Sequence, residues 1–300
     1  MPEIPASALA ALPTEQSNPR TRNLDRMSTA QILAAIHRED AGVAAAVFRC
    51  RGAIARAVDR ITASLRGGGR LIYVGAGTSG RLGVLDASEI PPTFNVSPRK
   101  VVGVIAGGKR ALYSAAEGAE DDPRLAARDL ARLRVGARDT VVGIAASGRT
   151  PYTIAALRYA ARHGATTVAV ACVRGSELAR AAEIAIEAVT GPEVIAGSTR
   201  MKAGTAQKLI LNMLSTAAMV RLGYVRSNLM VNVRATNAKL RARAERILAA
   251  ITGLDGAAAR AALRAAGGDL RAALATAARG NGGAQARVRR RPAQTGNCAR

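Results

Sequence analysis

Apolar residues recur along this chain with two periods. Between residues 70 and 189, five short runs are apolar on both faces: 70–74, 101–105, 140–145, 167–171 and 184–189. Each is rich in Val and Ile, as strands covered on both sides of a parallel sheet are. Helical spacing fills the gaps between the first four, at 79–88, at 109–116 and 123–133, and at 152–163. One short helix over 176–182 fits before the fifth run. That alternation predicts an α/β fold, a doubly wound five-stranded parallel sheet with right-handed crossovers.

Helical periodicity flanks this core. Residues 1–27 carry prolines at positions 2, 5, 13 and 19 and are expected to be extended and loop-like. Ser28 is placed to cap a helix through Ile32, Leu33 and Ile36. A second, long helix is expected from about Asp40 to Leu65, with Val43, Val47, Ile54, Val58 and Ile61 on one face and Gly67-Gly68-Gly69 ending it. Beyond residue 236 the pattern is helical and rich in Ala and Arg, with one helix around Leu240–Ile251 and shorter ones at 256–265 and 268–278. The chain thus reads as an N-terminal extended segment and helices over 1–66, a sheet domain over 67–236, a small helical subdomain over 237–279, and a basic tail over 280–300 whose composition predicts disorder.

Two loops carry the chemistry. Leu71-Ile72-Tyr73-Val74 runs into Gly75-Ala76-Gly77-Thr78-Ser79-Gly80, and Val141-Val142-Gly143-Ile144 runs into Ala145-Ala146-Ser147-Gly148-Arg149-Thr150. A strand that ends in small residues and then opens a helix offers free amides, a helix dipole and hydroxyls to an anion. Gly77, Thr78, Ser79, Ser147, Gly148 and Thr150 are therefore candidate phosphate ligands. Gly75, Gly77 and Gly80 also match G-x-G-x-x-G. A dinucleotide site would want an acid at the end of the next strand to hold the ribose. That run ends in Ala106-Gly107-Gly108, with no carboxylate. A third loop, Ser198-Thr199-Arg200-Met201-Lys202, adds hydroxyls and two cations suited to a phosphate.

Composition narrows the classes. No apolar run approaches the ~20 residues of a membrane span, and the first twenty residues lack the apolar stretch of a signal peptide. Cys50, Cys172 and Cys298 have no metal or redox spacing, and His37 and His163 lie on helical stretches away from the loops. No metal and no cofactor are expected. The formal net charge is +23, yet aromatic residues make up only 2% of the chain. Arg spread along helices without aromatics for base stacking reads as solvated helix faces that favour anionic substrates, not as a specific nucleic-acid surface.

Two acids stand out. Glu89 follows Asp86-Ala87-Ser88 and precedes Ile90-Pro91-Pro92, where the prolines are expected to end the helix and aim the carboxylate outward. Glu120 sits in the acidic knot Glu117-Gly118-Ala119-Glu120-Asp121-Asp122. Two carboxylates near one sugar can divide general acid and general base work.

Longer strings then carry a resemblance. Thr14-Glu15, Asn18-Pro19 and Asp25, Gly75 to Glu89, Pro91-Pro92-Thr93-Phe94, Gly103 to Gly108, Glu117 to Asp121, Ser147 to Pro151 and Gly191 to Lys208 together resemble the N-acetylmuramic acid 6-phosphate etherases. That family belongs to the sugar isomerase domain superfamily. The likeness covers about residues 14–278. Ile90 stands where many members carry Cys, and nothing after Gly280 matches. The resemblance implies a cytoplasmic homodimer acting on a sugar phosphate without metal or redox cofactor. It implies elimination and hydration at C3, giving N-acetylglucosamine 6-phosphate and D-lactate. It assigns Glu89 as general acid and Glu120 as the second catalytic acid. An ether leaves poorly, so Glu89 must begin protonated, which burial near its helix end would favour. Thr78, Ser79, Ser147 and Thr150 would hold the phosphate, and Arg200 or Lys202 would meet the phosphate or the lactyl carboxylate. An aldose–ketose isomerase and a non-catalytic phosphosugar-binding regulator use the same fold and stay open at this point.

Overall fold

The computed structural model describes residues 13–235 and 237–278. The basic tail, Cys298 and the first two prolines fall outside the described residues. By internal contacts the chain forms two compact units, divided between Leu222 and Gly223.

The first unit is the sheet domain with its N-terminal helices. Five strands, β1 (Leu71–Gly75), β2 (Val101–Ile105), β3 (Thr140–Ile144), β4 (Thr166–Ala171) and β5 (Ile184–Glu187), pair in parallel in the order β2-β1-β3-β4-β5. Leu71 pairs with Val101 on one side and Thr140 on the other. The side chains of Ile72, Val74, Val141 and Ala169 join α5 (Pro123–Arg132) and α6 (Pro151–Arg162) in one core, through Leu130, Tyr152, Ile154 and Leu157. On the opposite face lie α3 (Arg51–Arg66), α4 (Gly77–Phe94) and α8 (Lys202–Arg221). Both faces are thus covered, which is why the strand residues read apolar without alternation.

Caps and prolines set the helix limits. Ser28 caps α1 (Thr29–Asp40) and forms a full capping box with Gln31. The long helix expected from Asp40 to Leu65 is instead two: α2 (Val43–Arg49) and α3, broken at Cys50. There the Cys50 amide bonds the Val47 carbonyl in a tighter turn at 2.9 Å. The apolar phase from Val47 to Ile54 survives the break, so periodicity does not register it. Residues expected to be loop-like before Ser28 include two short 3₁₀ turns, Pro19–Thr21 and Leu24–Arg26. The helix expected at 109–116 is a 3₁₀ turn over Gly108–Leu112. The short helix expected at 176–182 is α7 (Glu177–Arg180), capped by Ser176.

Pro91-Pro92 does not end α4, contrary to the sequence expectation. The helix continues to Phe94 and stops at Asn95, which is left-handed at φ 50°. Each proline fits helical φ but loses an amide bond, to the Ala87 or Ser88 carbonyl, and crowds that carbonyl with its ring. Buried Ile90 and Phe94 on either side hold that last turn to the core.

The second unit contains a short antiparallel pair, β6 (Val225–Arg226) with β7 (Leu229–Met230), then α9 (Ala238–Thr252), α10 (Gly256–Ala265) and a further helical stretch over 270–278. Its core is built from Val231, Val233, Ile247, Leu248, Leu263 and Leu270.

Candidate functional site

The strand order puts the two glycine loops side by side. After β1 the chain moves outward to β2, and after β3 it moves the other way to β4. A crevice opens at the carboxyl ends where the direction reverses, the usual ligand position in such sheets. The loops leading into α4 and α6 flank it.

Close approach explains the first loop. A Cβ on Gly80 would lie 2.7 Å from the Gly75 carbonyl oxygen and 2.6 Å from Ile105 Cγ1. In the second, Gly148 is left-handed at φ 64°, and a Cβ there would collide with the Ser176 side chain. The hydroxyls differ in their freedom. Ser79 is buried, and its Oγ donates to Gln207 Oε1 at 2.9 Å. Thr78, Ser147 and Thr150 are half-buried, and Thr150 makes no side-chain capping bond to α6. Ser147 Oγ accepts from the Arg149 amide at 3.4 Å.

A cavity of about 650 Å³ opens beside the second loop, walled by Ser147, Arg149, Arg174, Gly175 and Ser176 among others. The loop after β4, Val173–Ser176, forms part of this wall. It repeats the grammar of the other two, an apolar run followed by Gly and Ser at the head of a helix, and that signal is present in the sequence.

Glu120 is brought to this region. Its backbone carbonyl accepts a hydrogen bond from the Tyr152 amide in the first turn of α6 at 3.0 Å. Tyr152 is fully buried and its hydroxyl donates to Asp129 Oδ2 at 2.9 Å, so the contact is anchored. The Glu120 side chain is exposed.

Glu89 lies elsewhere. It sits twelve residues beyond Gly77 on the same helix, about 18 Å along the axis. It is exposed, and Leu85 one turn earlier is 52% exposed. The burial expected for Glu89 is not supplied by its own chain. Its neighbour Asp86 is the buried acid: its carboxylate accepts from Tyr73 Oη at 2.9 Å, Asn212 Nδ2 at 2.8 Å and Ser215 Oγ at 3.2 Å. Burial raises its pKa, against the opposing pull of these three bonds. Asp86 fastens α4 to β1 and α8.

Lys202, expected to meet an anion of the substrate, is occupied. Its side chain is 2% exposed, and Nζ lies 2.6 Å from Glu39 Oε2. Arg20 Nε reaches the other oxygen of Glu39 at 2.7 Å. The start of α8 is filled too: the Glu193 carboxylate accepts from the Lys202 and Ala203 amides, both at 2.9 Å. That acid neutralises the helix end, so the α8 amides are not free for a phosphate. The N-terminal segment is stitched to the same loop by Thr21 Oγ1 to the Val194 carbonyl at 2.8 Å and the Gly197 amide to the Thr14 carbonyl at 2.9 Å. Ser198 and Thr199 are half-buried and Arg200 is exposed. Gly204, one turn into α8, packs beside Thr78. Among the described residues, no group of three or more His, Cys, Asp or Glu could hold a metal ion.

Comparison with known proteins follows the same residues. The model of the glucokinase regulatory protein N-terminal SIS domain matches residues 53–161, and that of the SIS domain matches residues 122–217. The N-acetylmuramic acid 6-phosphate etherase of Geobacillus sp. is 53% identical over 266 residues, covering 89% of this chain and 90% of the relative. That of Streptomyces coelicolor is 57% identical over 247 residues, 82% of this chain and 79% of the relative. Among solved structures, a phosphoheptose isomerase from Neisseria gonorrhoeae is 18% identical, covers 64% of this chain and 100% of that one, and superposes with a TM-score of 0.48.

Proposed function

The chain belongs to the N-acetylmuramic acid 6-phosphate etherases, and we propose that its lyase chemistry runs at a site shared between two copies. It cleaves the C3 lactyl ether of N-acetylmuramic acid 6-phosphate, giving N-acetylglucosamine 6-phosphate and D-lactate. The observation that carries this is identity above one half along most of the chain.

In the open-chain sugar, C2 lies beside the aldehyde. Glu120 removes the C2 proton, and the charge delocalises onto that carbonyl. Glu89 then protonates the ether oxygen as the C3–O bond breaks, and D-lactate leaves. Water adds at C3 with Glu89 taking its proton, and C2 is reprotonated by Glu120. The phosphate rests in the crevice on Thr78, Ser147 and Thr150, with amides from the Gly77 and Gly148 turns, while the Ser79 hydroxyl expected there is held by Gln207. Ser198, Thr199 and Arg200 lie on the loop that leads to Gly204, the residue beside Thr78.

The separation of Glu89 from that crevice, about 18 Å along α4, is too great for one sugar to span within one chain. A second copy docked on the exposed face around Leu85 supplies Glu89 to that crevice. The working form is a homodimer with two such sites. Its place is the cytoplasm; no described helix is long and apolar enough to cross a membrane.

The test is D-lactate release from N-acetylmuramic acid 6-phosphate by the purified protein, with Glu89→Ala alongside. Release by the parent and its loss in the variant support the reading. A folded protein that binds the sugar phosphate and releases no lactate overturns it in favour of a regulator.

A further inference from the structure

We propose that Arg149 is the cation that grips the lactyl carboxylate and so selects the ether substrate over simpler sugar phosphates. This inference rests on the etherase reading. The substrate carries two anions, a phosphate on C6 and a carboxylate reached through C3. The hydroxyl and amide donors of the two loops suit the first. The second sits close to both acids during catalysis, and since one of those acids is protonated at each stage, two carboxylate charges share the site. A fixed positive charge is needed to hold them together.

The available cations can be sorted by what already holds them. Lys202 is closed off by Glu39 in the interior. Arg180 donates to the Gly175 carbonyl. Arg174 also walls a second, smaller cavity of about 230 Å³ with Glu187 and Cys50. Arg200 does not line the cavity of about 650 Å³. Arg149 is exposed, lies between Gly148 and Thr150, and walls the large cavity together with Ser147. Among the described residues it holds no ion pair. Its planar fork matches a carboxylate with two parallel bonds. The backbone of the same loop presents Ser147 to the phosphate, so one turn of chain sets the spacing of both anions.

The experiment compares two ligands that differ only in the lactyl group. Dissociation constants for N-acetylmuramic acid 6-phosphate and N-acetylglucosamine 6-phosphate are measured on full-length protein in a Glu89→Gln background, which prevents turnover, with and without Arg149→Gln. We expect the muramic ligand to weaken by about tenfold to a hundredfold, the worth of a charge-assisted bond. The glucosamine ligand should be unchanged, which also shows that the loop is folded. Equal weakening of both would move Arg149 to the phosphate and overturn the proposal. No change in either would overturn it as well. A parent protein that releases no lactate would defeat the etherase reading separately, and the ratio of the two constants would still decide Arg149.

Discussion

Lys202 Nζ lies 2.6 Å from Glu39 Oε2, with both side chains almost completely out of solvent. The pair joins the end of α1 to the start of α8, elements 163 residues apart in sequence. A buried pair broken on one side leaves the other charge stranded, at about 3–5 kcal/mol. Lys202→Met should lower the unfolding free energy by that amount in urea titration while leaving KM near the parent value at temperatures where it is folded. A large rise in KM with unchanged stability would return Lys202 to the substrate.

The same pair sets a pH dependence. Burial acts to raise the Glu39 pKa. The bonds from Lys202 and Asn18 and the charges of Lys202 and Arg20 outweigh it, so the carboxyl titrates below its usual 4.5. The folded state therefore favours the ionised form. The stability this contributes is whole above 4.5 and is lost as pH falls through the lower folded value. Unfolding midpoints measured between pH 6 and about pH 3 should fall more steeply for the parent than for Glu39→Gln. Parallel curves would contradict this.

Asp86 is the opposite case, a carboxyl whose pKa is raised by burial. Burial disfavours its ionised form, and three donors offset part of that cost. Asp86→Asn should change stability by less than about 1 kcal/mol, because shape and most bonds are kept while the charge is removed. Asp86→Ala should cost about 2–3 kcal/mol by stranding Tyr73 and Ser215 in the interior. Denaturant titration of the two variants separates these outcomes.

Much of this architecture is legible in the sequence, for identifiable reasons. The strands announce themselves because both faces are buried, and the two anion loops because small residues follow each strand. Ser28 and Gly67 mark helix ends by their own chemistry. What does not show is anything that depends on a distant partner. Glu39 and Glu193 look like ordinary helix and loop acids until the fold brings Lys202 to one and the start of α8 to the other. Asp86 and Glu89 are three residues apart on one helix, yet one is buried and one exposed, and helical spacing alone does not assign the faces. Pro91-Pro92 misleads because proline disfavours a helix through local bonding, while Ile90 and Phe94 retain it through packing.

The two acids should separate by isotope exchange. In deuterated water, Glu120→Gln should lose C2 exchange of the sugar phosphate together with lactate release, by about a hundredfold or more. Glu89→Gln should retain C2 exchange while losing lactate release. Mass spectrometry of recovered substrate reads both. Loss of exchange in Glu89→Gln alone would reverse the roles.

The central claim is that Glu120 and Glu89 meet only across two copies. The direct test mixes Glu89→Ala and Glu120→Ala subunits after reversible dissociation. Each variant alone should be inactive. In a mixed dimer, one site receives both intact acids and the other receives neither. Since random pairing makes about half the dimers mixed, D-lactate release should recover to about a quarter of the parent rate. A mixture as inactive as its components, with mixed dimers shown to be present, would place both acids in one chain and contradict the shared site.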